Sequence, residues 1–197
     1  MTEKIKQHLI KTDEIMAGII EQIDLPEIKR TDNVFHDLMS CIIEQQIHYR
    51  STKKTFAKLM AEAGLEELTL GNFEVLEEKA LGKIKLSEKK FETIAHILDF
   101  FQSEEPDWQS MTDAEVKKAL SGIKGVGPWT QEMILLYSLN RPDIFPAGDY
   151  HLKKVMQDVY EIDSSQPLAR EMKRVAVMWE PYRSFGVRYL LEWKRQK

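Results

Sequence analysis

The stretch with the most chemical content runs Leu120-Ser121-Gly122-Ile123-Lys124-Gly125-Val126-Gly127-Pro128-Trp129-Thr130. Gly125 and Gly127 flank one apolar residue, between a helix ending near Leu120 and an apolar-periodic run through Trp129, Met133, Ile134, Tyr137 and Leu139. The spacing predicts a helix, a tight glycine hairpin and a second helix. Glycine lets such a turn visit positive φ, and its missing side chain leaves room for another backbone. N–H groups at the start of the second helix, with the helix dipole behind them, suit a phosphate oxygen. Pro128 has no N–H, so Gly127, Trp129 and Thr130 are the candidate donors, and Lys124, Gly125 and Val126 form the turn beside them. The same Gly-x-Gly also fits an ordinary turn between helices, with glycine as the C-cap. Farther on, past Asn140-Arg141-Pro142-Asp143, the run Phe145-Pro146-Ala147-Gly148-Asp149-Tyr150 brings a carboxylate to the start of a helix. Most aspartates at such a position are N-caps and nothing more.

The elements around these residues read as helical almost throughout. Val34, Phe35, Leu38, Met39, Ile42 and Ile43 follow the three-and-four spacing of one buried face, with Asp32 placed to cap its start. Phe91, Ile94, Ile97, Leu98 and Phe101 repeat the pattern behind Ser87, and Thr112 with Glu115 is a capping-box signature. Leu168, Met172, Val175 and Trp179 form a further stripe behind Pro167. Nowhere does a β-branched run alternate with polar residues between turn signals, so the expected fold class is all-α, with about nine or ten short helices.

The chain has 197 residues, 43% hydrophobic and 30% charged, which is ordinary globular composition. Cys41 is the single cysteine, which excludes a disulfide framework and a thiolate-held zinc or iron–sulfur cluster. The N-terminus carries charges every few residues, and no stretch approaches a membrane-spanning apolar run, so a cytoplasmic protein without membrane attachment is expected. The net charge of −4 is unevenly spread: residues 120–197 carry 12 basic against 9 acidic side chains, and residues 1–119 carry 16 against 23. The C-terminal part is the one able to meet a polyanion.

Taken in order, a helix, a Gly-Val-Gly hairpin, a helix, a proline-rich loop and an aspartate resemble the helix-hairpin-helix DNA glycosylase superfamily. Ile42-Ile43-Glu44-Gln45-Gln46-Ile47 resembles its Gln-Gln segment, and Leu81-Gly82 to Lys90 resembles the start of its middle helix, so the similarity spans roughly residues 34 to 190. Bifunctional members carry a lysine two residues after the last hairpin glycine; here that residue is Trp129, and strand cleavage through a Schiff base is not expected. Adenine-mismatch and thymine-glycol branches carry four cysteines, and Cys41 stands near where the mismatch branch has its acid. What remains resembles the 3-methyladenine DNA glycosylase II branch, without the N-terminal β domain of its larger members.

The resemblance implies two helical subdomains flanking a cleft, one of roughly residues 31–140 with the helix-hairpin-helix at 112–140, the other of 1–30 plus 141–197. It implies Asp149 as the catalytic carboxylate beneath the sugar of a flipped nucleotide. Trp129, Tyr182, Trp179, Tyr150 and Met133 are the expected residues of the base pocket. Gln46, after Gln45, is the expected wedge into the vacated stack, and His48 and Arg50 are candidate phosphate contacts, with His48 standing where a small hydroxyl residue is usual. No cofactor is required, although the carbonyls of Ser121, Ile123 and Val126 are placed as a cradle for a monovalent cation, Na+ or K+. The expected partner is double-stranded DNA containing damaged bases, and the expected state a monomer. Two other readings stay open: the same fold acting on uracil or hypoxanthine, and a non-catalytic helix-hairpin-helix module that only grips DNA.

Overall fold

A computed structural model describes residues 3–26, 31–44, 53–163 and 165–197. Its α-helices are α1 (Glu3–Thr12), α2 (Glu14–Gln22), α3 (Val34–Ile43), α4 (Lys53–Ala63), α5 (Phe73–Lys79), α6 (Glu88–Ser103), α7 (Asp113–Ser121), α8 (Pro128–Met133), α9 (Tyr150–Val159), α10 (Leu168–Ala176) and α11 (Arg183–Gln196). A π-helical turn, Ile134–Ser138, continues α8, and a 3₁₀ turn, Val177–Trp179, continues α10. Among the described residues there is no strand, and the helices outnumber the nine or ten that apolar spacing alone predicts. Short helices such as α5 bury only two residues, Phe73 and Leu76, too few to make a periodic signal.

The chain forms two compact units, Arg30–Ile134 and Met1–Lys29 with Leu135–Lys197. The second division falls inside the continuous helical run of α8 and its π-helical turn, earlier than the expected 140/141. Apolar periodicity runs unbroken through that point, with Met133, Ile134, Leu135 and Leu136 all buried, so no composition change marks it.

In the middle unit α3 packs on α6 and α4, and α7 packs on α8. The core of α3 is Phe35, Leu38, Met39, Ile42 and Ile43, as the spacing predicts. Its cap is not Asp32, which takes positive φ (52°) before the helix; Asn33 accepts the His36 N–H at 2.9 Å. The other unit joins the two chain ends: α1 packs on α2, and α11 packs on both α2 and α9. Its largest buried side chains, Trp179 and Tyr189, are 0% and 1% exposed. No helix among the described residues is long and apolar enough to cross a membrane.

Candidate functional site

The hairpin is built from its first helix upward. Thr112 and Glu115 close the predicted capping box, Glu115 Oε2 accepting the Thr112 N–H at 2.8 Å and Thr112 Oγ1 accepting the Glu115 N–H at 3.3 Å. The Thr112 hydroxyl, donating to Glu115 Oε2 at 2.7 Å, and then the Thr112 N–H hold the exposed Glu115 carboxyl below its ordinary range. After α7, Ile123 donates to Leu120 O and Val126 to Ile123 O, at 3.1 and 3.0 Å, while both side chains enter the core. Gly125 sits at φ +96°, and a Cβ there would run into the side chain of Thr93 on α6. Gly127, the N-cap residue of α8, has an ordinary φ of −83°, and a Cβ there would meet nothing within 4 Å. Neither N–H donates to an oxygen among the described residues. Of the two hairpin glycines, the fold requires Gly125 and leaves the residue type at Gly127 open.

Gln131, nearly buried, ties the turn to α8: its Nε2 donates to Val126 O at 3.3 Å and its N–H to Gly127 O at 3.1 Å. Of the three carbonyls expected to cradle a cation, Ile123 O and Val126 O thus each already accept one hydrogen bond, and each keeps a second lone pair. Lys124 is exposed and Trp129 half-buried, while Thr130 turns its side chain inward. Met133 is 2% exposed and belongs to the core, which corrects its expected place in the base pocket. Gln45, Gln46, His48 and Arg50 lie outside the described residues. Just before them, the buried Glu44 accepts the Phe56 N–H at 2.9 Å, and Lys90 Nζ donates to Ile43 O at 2.8 Å, its ammonium disfavoured by burial and only partly supported by the Glu44 charge.

In the other unit Asp149 is 5% exposed. It is the N-cap of α9, with Oδ1 accepting the Leu152 N–H at 2.7 Å. The approaching loop is turned by Ala147 donating to Phe145 O and Asp149 donating to Pro146 O, both at 2.9 Å. Phe145 sets its ring edge-on against Trp179 at 6.0 Å. Gly148 is exposed and would tolerate a Cβ, so the backbone beside the carboxylate is also bare.

Trp179 corrects a second expectation. It is fully buried, its indole N–H donating to Asp13 Oδ2 at 2.7 Å, with Phe145 and Tyr160 against its ring and Gly186 approaching so closely that a Cβ would lie 2.7 Å from the ring. It is a pillar under the loop and has no face for a base. Asp13 is met by Tyr160 as well, whose hydroxyl donates to the same oxygen at 2.7 Å, while Asp13 Oδ1 caps α2 through the Met16 N–H. Tyr182 precedes α11 half-buried, with edge contacts to His8 and Phe185 at 5.2 and 6.5 Å. Tyr150 is 63% exposed and meets His151 edge-on. Thr93, Asp13, Gln131 and Phe145 are supports that no local pattern announces, because each acts through a partner distant in the chain or through its burial.

The described residues hold no group of three or more His, Cys, Asp and Glu arranged for a metal ion. A cavity of about 690 Å³ in the middle unit is lined by Asp32, Glu67, Glu104 and Glu105 with Phe101 and Trp108. Its carboxylates repel a polyanion, so it is not the nucleic-acid site.

Residues 39–181 match the HhH-GPD superfamily of base excision DNA repair proteins, and the chain belongs to that superfamily. DNA-3-methyladenine glycosylase 1 of Schizosaccharomyces pombe is 24% identical over 169 residues, covering 83% of this chain and 72% of that protein. An alkylbase DNA glycosidase-like protein of the same yeast, mag2, is 29% identical over 137 residues, covering 70% and 56%. Among solved structures, the S. pombe 3-methyladenine DNA glycosylase Mag1 in complex with abasic DNA superposes with a TM-score of 0.80 at 21% identity, over 96% of this chain and 95% of that one. The DNA-3-methyladenine glycosidase of Bacillus halodurans does so at 0.71 and 23% identity, over 95% and 88%.

Proposed function

We propose that the chain is a monofunctional DNA glycosylase that hydrolyses the N-glycosidic bond of alkylated purines, of the 3-methyladenine and 7-methylguanine type, in double-stranded DNA. The observation that carries this reading is Asp149, a carboxylate 5% exposed at the start of α9, at the end of a loop held on the core. Membership of a base excision superfamily and relatives named as 3-methyladenine glycosylases supply the substrate class.

The mechanism follows from the substrate's charge. Alkylation at N3 or N7 makes the purine cationic, so the C1′–N bond breaks with its electron pair going to the base, and no acid is needed to release it. The sugar becomes oxocarbenium-like, and a carboxylate fixed in a poorly hydrated place stabilises it far better than one in water. Water then adds at C1′ and loses its proton to Asp149 or to solvent. The base must leave the stack to be reached. Tyr182, half-buried in the unit that holds Asp149, offers a ring on which a cationic base gains about 0.5–2 kcal/mol by cation–π contact. Gly125 and Gly127 present N–H groups to a backbone phosphate, and a monovalent cation on the neighbouring carbonyls would add positive charge there. With Trp129 where an amine nucleophile would stand, the strand is left uncut.

Incubation with methylated duplex DNA, with identification of the free bases and a check for strand scission, tests the reading. Free 3-methyladenine or 7-methylguanine without scission is expected. Asp149→Asn is expected to lower the release rate by about 100-fold or more while duplex affinity holds. Release of uracil or hypoxanthine instead would overturn the base preference, and undiminished release by Asp149→Asn would overturn the catalytic assignment.

A further inference from the structure

We propose that Ser184, with the Arg183–Asp143 pair beside it, is a positioning device for the catalytic carboxylate; the inference rests on the role given above to Asp149. The N-terminus of α11 has no capping bond from its own N-cap residue, Tyr182. The acceptor comes from a distant loop: Asp143 Oδ1 takes the Arg183 N–H at 3.2 Å. The same carboxylate holds the Arg183 guanidinium bidentately, Nε on Oδ1 and Nη2 on Oδ2, each at 2.8 Å. Ser184, 3% exposed, faces the loop directly. Its hydroxyl donates to Arg141 O at 2.6 Å and accepts the Ile144 N–H at 2.8 Å, while its own N–H donates to Pro142 O at 3.1 Å. Four consecutive loop residues, 141–144, are therefore bonded to the first two residues of one helix.

These bonds exceed what the helix itself requires. The first N–H groups of α11 need acceptors, and Asp143 and Pro142 O supply them to Arg183 and Ser184. The bonds to Arg141 O and Ile144 N–H satisfy loop groups instead, and this loop runs on through Phe145 and Pro146 to Asp149. Tyr182, the aromatic residue offered as a wall for the base, immediately precedes the pair and is itself fixed by donating to Trp179 O at 2.7 Å. One patch of α11 thus sets both a wall and the path to the carboxylate in a common frame. Arg183 is already engaged by carboxylates: Glu180 takes its Nη1 at 2.8 Å, Asp143 accepts from Nε and Nη2, and the hydrogen bonds it donates to Asp143 raise its pKa further. Displacing a reacting group by about 1 Å can cost about 100-fold in rate, which is the scale on which such a clamp would act.

The test compares single-turnover release of 3-methyladenine, affinity for a duplex carrying an uncleavable abasic analogue, and thermal melting. Ser184→Ala is expected to lower the release rate by about 10- to 100-fold with affinity changed less than about threefold. Ser184→Thr, which restores a hydroxyl, is expected to recover most of the rate. In an Asp149→Asn background, Ser184→Ala is expected to add no further loss, because the group it positions is gone. A wild-type rate in Ser184→Ala, a loss confined to affinity or melting, or the same fold-loss in the Asp149→Asn background would each overturn the proposal. If Ser184→Ala does not fold, Asp143→Asn, which keeps an acceptor for the helix but weakens the bidentate pair, must still slow release; an unchanged rate overturns the proposal equally. Full activity in Asp149→Asn would remove the catalytic reading itself, an outcome distinct from failure of the clamp alone.

Discussion

Gly125 and Gly127 look equivalent in the sequence and are held for different physical reasons. Gly125 answers to the fold: its φ of +96° disfavours any side chain, and Thr93 occupies the space a Cβ would need. Gly125→Ala combines a left-handed penalty with overpacking, about 2–4 kcal/mol together, and is expected to lower the melting temperature by many degrees. Gly127→Ala strains nothing inside the chain and should melt within about 0.5 kcal/mol of wild type. Duplex affinity, read by fluorescence anisotropy, should nevertheless fall for every DNA sequence alike, and with it the steepness of the salt dependence. If Gly127→Ala binds as wild type, phosphate capture lies elsewhere. Tyr160 offers a second residue-scale test. Burial first, then the Asp13 charge and the hydrogen bond to it, push its hydroxyl well above the ordinary tyrosine value. The folded state therefore keeps a proton that the unfolded chain releases near pH 10. The stability tied to that proton is complete below this pH and is lost as pH rises from there toward the folded value. Tyr189, raised mainly by burial, acts in the same direction. Melting curves between about pH 9 and 11 should therefore become shallower in Tyr160→Phe without becoming flat.

At the scale of elements, legibility in the sequence depended on how far apart the interacting residues stand. The α7 capping box was readable because Thr112 and Glu115 are three residues apart, and the buried face of α3 because apolar spacing is itself local. The choice between Asp32 and Asn33 as cap was not readable: either residue type serves, and Asn33 is held from a distance by Nδ2 donating to Glu67 Oε1 and Leu68 O. Trp179 continues the apolar stripe of α10, yet what separates core from pocket is Asp13, 166 positions away. Likewise the carboxylate at residue 149 was visible as a type at a helix start, but its burial depends on packing that no local window contains. The Asp13 junction joins α2, Tyr160 after α9 and the 3₁₀ turn after α10 through three hydrogen bonds to one side chain. Asp13→Ala would strip the cap from α2 and leave the Trp179 N–H buried without an acceptor, at a cost of about 3 kcal/mol. Because Trp179 supports Phe145 in the loop before Asp149, release of the base should slow together with the loss of melting temperature, whereas Tyr160→Phe, which leaves the Trp179 bond in place, should lose stability with little loss of rate.

At the scale of the whole molecule, the all-helical class and the order of helix, hairpin, loop and aspartate were legible because each is a pattern along the chain. The division at Leu135 was not, since it falls within an uninterrupted helical run. The hairpin belongs to the middle unit and Asp149 to the unit made from the chain ends, so the proposed function divides its two tasks between them. The chain as a whole carries −4 and must meet a polyanion, so affinity has to come from local contacts and not from net charge. Lys124, exposed in the hairpin, is the side chain we propose for such a contact. Lys124→Ala should weaken binding to damaged and undamaged duplex alike and reduce the slope of log affinity against log salt by about 0.9, with the release rate at saturating protein preserved. Asp149→Asn should do the reverse, lowering that rate while leaving the salt slope as it is. Groups that share no partner contribute independently to the free energy of the transition state. The fold-losses in kcat/KM of Lys124→Ala and Asp149→Asn should therefore multiply in the double variant, measured under single-turnover conditions at fixed ionic strength. A double variant no worse than Asp149→Asn alone would mean that gripping the backbone and breaking the glycosidic bond are one coupled event, and the division of labour between the two units would have to be abandoned.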